Sequence, residues 1–74
     1  MTGTELRDLQ RRAGLSATAF GVAIGYGGKP HNIARTVRRL QGRGTEPIPE
    51  DVARRALVFE ARLARLESKW AAEA

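Results

Sequence analysis

The chain has 74 residues, of which 13 are Lys or Arg and 8 are Asp or Glu, giving a formal net charge of +5, and it contains no cysteine. This length predicts one domain with a small core, and the missing cysteine excludes disulfides and thiolate metal sites. No apolar run approaches the roughly 18 residues that cross a bilayer, so we expect a cytoplasmic protein with no membrane partner.

The positive charge is concentrated in one segment of the chain. Residues 9–45 carry seven cations and no acid, whereas residues 1–8 and 46–74 each have a net charge of −1. The cations of that segment are Arg11, Arg12, Lys29, Arg35, Arg38, Arg39 and Arg43. A positive electrostatic potential confined to one segment favours binding of that segment to a polyanion, while the rest of the chain is available for another role.

Local signals predict two helices in the first third of the chain. Thr2 and Glu5 have the spacing of a capping box, and Gly14 is suited to the end of the first helix. Its apolar residues at helical spacing are Leu6, Leu9 and Ala13. Ser16 is a typical N-cap for a short second helix, which Gly25 ends. The apolar face of this second helix is predicted to comprise Ala19, Phe20, Ala23 and Ile24, with Gly21 small enough to let a neighbouring helix approach.

A glycine-rich segment, Gly25-Tyr-Gly-Gly-Lys-Pro30, separates the second helix from a third that we predict over about 30–41. Pro30 has the fixed φ suited to a first helical position. On this helix Ile33, Val37 and Leu40 recur at i, i+4 and i+7, which places them on a core-facing arc. The opposite, solvent-facing side is predicted to carry His31, Arg35 and Arg38, with Asn32 and Arg39 beside them.

A long fourth helix is predicted from Pro49 to about Trp70, with Glu50 and Asp51 favourable at its positive end. Apolar residues follow at heptad-like spacing: Val52, Ala56, Phe59, Leu63, Leu66 and Trp70. We expect the first half to close the core through Val52, Ala53, Ala56, Leu57 and also Phe59. Leu63, Leu66 and Trp70 extend beyond what three helices can cover, which favours a homodimer whose interface comprises Phe59, Leu63, Leu66 and Trp70.

The predicted architecture is therefore all-α: a compact four-helix domain spanning residues 1–74, with a long C-terminal helix that dimerises. Residues 1–44 would form a helix-turn-helix core, and residues 45–74 would close the core and dimerise. No segment predicts a convincing strand.

Several short motifs in the first two thirds of the chain occur in a characteristic order. They are Leu6-Arg7-x-Leu9, Gly14-Leu15-Ser16, Phe20-Gly21-x-x-Ile24-Gly25, and Thr36-Val37-Arg38-Arg39-Leu40-Gln41 followed by glycine. In order and spacing they resemble the Cro/repressor-type (XRE-like) helix-turn-helix regulators of phages, mobile elements and bacterial chromosomes, over residues 4–44. The chain departs from that family in Ala17, in Leu40-Gln41 and in the twelve residues that separate Gly25 from Val37, which imply an insertion before the third helix.

The third helix has the residue types that contact DNA bases. Arginine can donate two hydrogen bonds to guanine, and asparagine can bond adenine in bidentate fashion, when a helix enters the major groove. We predict Asn32 and Arg35 as the leading base-contacting residues, followed by His31 and Arg38. Residues suited to phosphate contacts are Ser16, Thr18, Lys29, Arg39 and Arg43, although Ser16 also serves as a helix cap.

The resemblance implies a dimeric repressor that binds an inverted-repeat operator in double-stranded DNA and blocks polymerase, often on its own operon. Small regulators of this kind include phage lysis-lysogeny regulators, anti-CRISPR-associated repressors and antitoxins, and the sequence does not select among them. Repression matches the short length, which leaves no room for a sensing or enzymatic domain.

Two other functions are compatible with the same residues. An antitoxin or protein-interaction adaptor would use the last helix to bind another chain, with DNA binding secondary. A sequence-indifferent basic protein would coat RNA or DNA and bind scrambled and native promoters alike. Only one aromatic residue, Tyr26, is expected near the basic face, whereas single-strand binders usually stack bases on several.

The sequence predicts no catalytic site. The glycine-rich turn does not match a Walker loop, because Ala23 and Pro30 occupy the positions of a required glycine and hydroxyl, and Pro30 also replaces the third glycine of a dinucleotide-binding motif. With one histidine and no cysteine, neither a metal site nor an acid–base pair can be assembled. We therefore expect no enzymatic activity, no cofactor and no small-molecule ligand.

Overall fold

Residues 1–73 are described by the structure, a computed structural model. Over this range the chain forms four helices and no extended strand: α1 (Gly3–Ala13), α2 (Ala17–Ala23), α3 (Pro30–Gln41) and α4 (Glu50–Glu73). The all-helical prediction is confirmed, and α4 continues three residues past the predicted end at Trp70. None of these helices is both long and apolar enough to cross a membrane.

Side-chain and backbone caps define the ends of the first two helices. The Thr2 hydroxyl accepts a hydrogen bond from the Glu5 backbone N–H, and the Glu5 carboxylate accepts one from Thr2 N–H, each at 3.2 Å. Gly14 adopts the left-handed conformation (φ 69°) that favours glycine, and its N–H donates to Gln10 O and Arg11 O. At the start of α2 the Ser16 hydroxyl accepts from Ala19 N–H at 3.1 Å. Both predicted N-caps are confirmed.

One hydrophobic core joins all four helices. Its buried members are Leu6, Leu9, Phe20, Ile24, Val37, Leu40, Ile48, Val52, Ala56 and Leu63. Phe20 packs against Phe59 in an edge-to-face arrangement, with ring centroids 5.6 Å apart. Such aromatic pairs contribute roughly 0.5–1.5 kcal/mol beyond their buried area. Phe59 is therefore a core residue of α4.

The predicted close approach at Gly21 occurs between α2 and α3. A Cβ atom added at Gly21 would overlap Ile33 Cγ2 and lie 3.0 Å from Val37 Cγ2. The prediction for the remainder of this face was partly wrong, because Ala19 and Ala23 are exposed. Helix α2 is only seven residues long, and Phe20 and Gly21 are its buried residues.

The first residues dock on the segment that precedes α4, a contact that sequence patterns did not predict. Gly3 N–H donates to Glu46 O at 3.2 Å, Thr4 N–H donates to Gly44 O at 2.9 Å, and Ile48 N–H donates to Met1 O at 3.0 Å. These bonds hold the start of α1 against residues 44–48, between α3 and α4.

Two predictions about α4 were wrong. Leu57 is 52% exposed and does not close the core, whereas Leu63 is 7% exposed and belongs to it. Leu57 is five residues from Val52, a rotation of about 140° on a helix, which turns it away from the core. Leu63 shares a buried cluster with Leu6 and Leu9 of α1. Helix α1 also contacts α4 further along, where the Glu67 carboxylate lies 2.6 Å from Arg12 Nη2.

Candidate nucleic-acid interface

The outward face of α3 has the composition predicted for it. Ile33, Ala34, Val37 and Leu40 are buried. Every predicted base-contacting residue is exposed, and so is Arg39: His31, Asn32, Arg35, Arg38 and Arg39. The helix is thus anchored by one side and presents amide, imidazole and guanidinium groups on the other.

The cations of this face are not neutralised by the protein. Among residues 1–73, the ion pairs within 4.0 Å involve only Arg12, Arg54 and Arg55 as cations. Lys29, Arg35, Arg38 and Arg39 have no carboxylate at that distance within the same range. Their charge is therefore available to an external anion.

The start of α3 is fixed by the backbone and by Pro30. Lys29 is the N-cap residue and makes no side-chain cap, while Asn32 N–H and Ile33 N–H both donate to Lys29 O. Thr36 Oγ1 donates to Asn32 O at 2.9 Å. The Asn32 side chain makes no hydrogen bond among the described residues, so its amide remains free to bind a ligand.

The glycine-rich turn before α3 ends at Pro30, where the helix begins as predicted. Gly25 and Gly28 have φ of 101° and 105°, values that favour glycine. Tyr26 was expected near the basic face, but its ring lies 5.4 Å from Arg55 Cζ on α4 in a cation–π contact. Partial burial raises the pKa of Tyr26, Arg55 opposes that rise, and Asp51 adds to it. Tyr26 therefore fastens the turn to α4.

Besides Ser16, which caps α2, two residues predicted to bind phosphate donate hydrogen bonds within the chain. Thr18 Oγ1 donates to Pro30 O at 3.2 Å, which ties the start of α2 to the start of α3. Because a hydroxyl has one proton, a phosphate contact that uses it requires this bond to open. Arg43 Nη1 donates to Pro47 O at 2.8 Å, and its other N–H groups stay free to donate. Lys29 and Arg39 are exposed with no such bond in the described part of the chain.

Arg12 lies in the acid-free segment, residues 9–45, but unlike the cations on the exposed face of α3 it is paired with carboxylates of the protein. Its Nε and Nη2 donate to the Glu67 carboxylate, and Nη1 lies 3.8 Å from Glu60. The hydrogen bond with Arg12 lowers the pKa of Glu67, and the same bond raises the pKa of Arg12. This pair joins residues 55 apart in sequence, so charge counting along the chain missed it.

Sequence analysis also missed Arg7, which lies outside residues 9–45. Arg7, Arg38, Gln41 and Gly42 line an open concavity of about 330 Å³ between α1 and the end of α3. One signal was present in the sequence: Arg7 follows Gly3 by four residues and precedes Gln10 by three, so all three share one side of α1. Gly3 and Gln10 both contact α3.

Leu66 and Trp70, predicted to dimerise, lie exposed near the end of α4. Their exposed fractions are 46% and 56%, whereas Phe59 and Leu63 pack into the core. Any interface on this side of α4 would therefore use mainly Leu66 and Trp70.

Family models, curated proteins and solved structures provide no match to this chain.

Proposed function

We propose that this protein is a sequence-specific regulator that binds double-stranded DNA and acts as a repressor, with α2 and α3 as its helix-turn-helix pair. The exposed face of α3 is the observation that carries the proposal. Its cations have no carboxylate partner among residues 1–73, and its buried side is fixed against α2 through Gly21. A rigid helix with free donors on one side suits the major groove.

Base recognition in this proposal is assigned to the first half of α3. The free Asn32 amide would pair with an adenine edge, and Arg35, one turn further along, would donate two hydrogen bonds to guanine. His31 and Arg38 flank these residues on the same exposed side. Lys29 and Arg39 would bind phosphates, with contributions from Ser16 and Arg43.

Dimerisation would let two α3 helices occupy adjacent major grooves. The exposed Leu66 and Trp70 of α4 are the proposed contact between subunits. A two-fold dimer matches an inverted repeat with half-sites about one helical turn, or roughly 34 Å, apart. Occupying such an operator, including one in front of its own gene in a phage or mobile element, would block transcription in the cytoplasm.

A mobility-shift experiment tests the proposal. The probes are a duplex carrying the inverted repeat closest to the chain's own gene and a scrambled duplex of equal composition. Selective binding is expected for the wild type, and Asn32→Ala or Arg35→Ala should cost about 1–3 kcal/mol on the repeat with little change on scrambled DNA. Arg54→Ala is the matched control for Arg35→Ala, since it removes one positive charge from α4, where Arg54 pairs with Glu50.

Equal affinity of the wild type for both duplexes would contradict sequence-specific recognition and favour a nucleic-acid-coating protein. Equal reductions in affinity for Asn32→Ala or Arg35→Ala on both duplexes would assign that residue to phosphate binding.

A second candidate function is an antitoxin or adaptor that binds another protein through α4. The observation that favours it is the set of large apolar side chains left exposed on that helix: Leu57, Val58, Leu66 and Trp70. Sedimentation of the pure protein separates the two, because an adaptor without its partner is expected to be monomeric.

A further inference from the structure

We propose that the concavity between α1 and the end of α3 binds a phosphate group, and that a backbone phosphodiester of duplex DNA supplies it. Arg7 and Arg38 would be its ligands, so Arg38, predicted above as a base-contacting residue, is reassigned to phosphate contact. This inference builds on the proposed DNA binding and extends the interface from α3 onto α1.

Two contacts fix the position of α1 relative to the end of α3, which form the two sides of the concavity. Gln41 Nε2 donates to Gln10 Oε1, and Gln10 Nε2 donates to Leu15 O, so a chain of amides links α3 to α1. Four residues before Arg7, the Gly3 backbone touches the end of α3 so closely that an added Cβ would lie 2.6 Å from Leu40 O. These two contacts lie on either side of Arg7 along α1. The separation of the two backbones that carry the arginines is therefore set before any ligand binds.

The charge of the concavity is unbalanced. Arg7 and Arg38 both line it, and neither has a carboxylate within 4.0 Å among residues 1–73. An anion held by both arginines would offset this positive charge and accept hydrogen bonds from each. Guanidinium groups match the geometry of phosphate oxygens in bidentate fashion.

Size and position also fit a phosphodiester. The volume of about 330 Å³ is several times the roughly 30 Å³ share of one water, so a phosphate and part of its hydration shell can enter. Arg38 both lines the concavity and belongs to the exposed face of α3. A DNA strand that meets the C-terminal half of α3 would bring its backbone to this site.

The test compares Arg7→Gln with Arg11→Gln in the full chain. Arg11 is the matched control, because it is an exposed arginine one turn further along α1 that does not line the concavity. Duplex affinity is measured across a salt series by fluorescence anisotropy. Removing one phosphate ligand should make the slope of log affinity against log salt shallower by about 0.9. We expect that shallower slope for Arg7→Gln and an unchanged slope for Arg11→Gln.

A second arm titrates the isotope-labelled protein with inorganic phosphate and follows backbone amide shifts by NMR. Shifts centred on Gln41 and Gly42 are expected in the wild type and in Arg11→Gln but not in Arg7→Gln. If the wild type binds duplex DNA and the two variants behave alike in both arms, the site is refuted while the proposed function survives. If no duplex binds but phosphate still shifts these amides in an Arg7-dependent way, the proposed function and the phosphodiester assignment fail, and the site is one for a free anion.

Discussion

Gly3 occupies a position where any side chain would collide with the backbone. A Cβ atom there would lie 2.6 Å from Leu40 O, 2.8 Å from Gln41 O and 2.9 Å from Gly44 N. These are main-chain atoms, which move less readily than the end of a flexible side chain. In most helices alanine is favoured over glycine by roughly 1 kcal/mol, so this position reverses the usual preference.

We expect Gly3→Ala to lower the free energy of unfolding by about 1–3 kcal/mol, the usual range for inserting an extra methyl group into a tightly packed site. Chemical denaturation followed by circular dichroism measures the change. Gly27→Ala is the control, because an added Cβ at Gly27 meets nothing within 4 Å. A Gly3→Ala protein as stable as Gly27→Ala would contradict the close approach of α1 to α3.

The Arg12–Glu67 pair gives a prediction about pH. The pKa of Glu67 is lowered in the folded protein by its hydrogen bond with Arg12, so the unfolded chain binds this proton at higher pH than the folded one. The stabilisation is present above the ordinary glutamate pKa and is lost as the pH falls through the lowered folded value. We expect Glu67→Gln to be less stable than the wild type at neutral pH, and the difference to vanish in acid.

Thermal unfolding at a series of pH values tests this expectation. Added salt should reduce the difference in stability between Glu67→Gln and the wild type at neutral pH, because the Arg12–Glu67 pair is exposed to solvent. Glu73→Gln, an exposed change on the same helix, controls for the removal of one negative charge. A stability difference that persists in acid would show that packing, not charge, accounts for the effect of Glu67→Gln.

At the scale of elements, one side-chain hydrogen bond reinforces the packing of α2 against α3. The bond from Thr18 Oγ1 to Pro30 O connects the first turns of the two helices. We expect Thr18→Val to reduce the free energy of unfolding by about 0.5–1.5 kcal/mol, the usual net value of such a bond, and Thr18→Ser to retain it. Denaturant titration measures the reduction.

Duplex binding then separates positioning from phosphate contact at Thr18. A positioning role predicts that Thr18→Val weakens binding to the inverted-repeat duplex with little change on scrambled DNA. Equal losses of affinity on both duplexes would instead support a direct phosphate contact, because phosphate contacts carry no sequence information.

The boundaries of the helices were predictable because they depend on neighbours in sequence. Ser16 accepts a bond three residues away, and Pro30 begins α3 through its own φ. The outward face of α3 was equally predictable, because helical periodicity alone separates Arg35 from Val37.

Long-range contacts account for what the sequence did not predict. The burial of Leu63 depends on its packing in a cluster with residues distant in sequence, such as Leu6 and Leu9, which no local pattern encodes. Arg12 and Glu67 are 55 residues apart, so their pairing changes the charge of the candidate interface in a way that a count along the chain cannot detect. Arg7 lines the same concavity as Arg38 because Gly3 and Gln10, on either side of it along α1, both contact α3.

For the whole molecule, self-association can be tested with two leucines of α4. Leu66 and Leu57 are exposed to similar extents, 46% and 52%, but they are nine residues apart, which places them on opposite sides of the helix. We expect Leu66→Asp to convert a dimer to a monomer in sedimentation velocity, because it would bury a carboxylate at the contact. Leu57→Asp should leave the mass unchanged.

A wild-type protein that sediments as a monomer would contradict the dimer and favour the adaptor function. Dissociation by Leu57→Asp but not by Leu66→Asp would move the contact to the outer side of α4.

The makeup of the core also determines when the chain can fold during its synthesis. Leu6 and Leu9 share one cluster with Val52, Ala56 and Leu63. Residues of α1 are translated first, so they can complete their packing only after α4 has been translated. Ribosomes add about 5–20 residues per second, and a nascent chain that ends after α3 leaves its apolar side chains unprotected for seconds. We therefore expect this core to form only after α4 has been translated, and residues 1–44 alone not to retain their native structure.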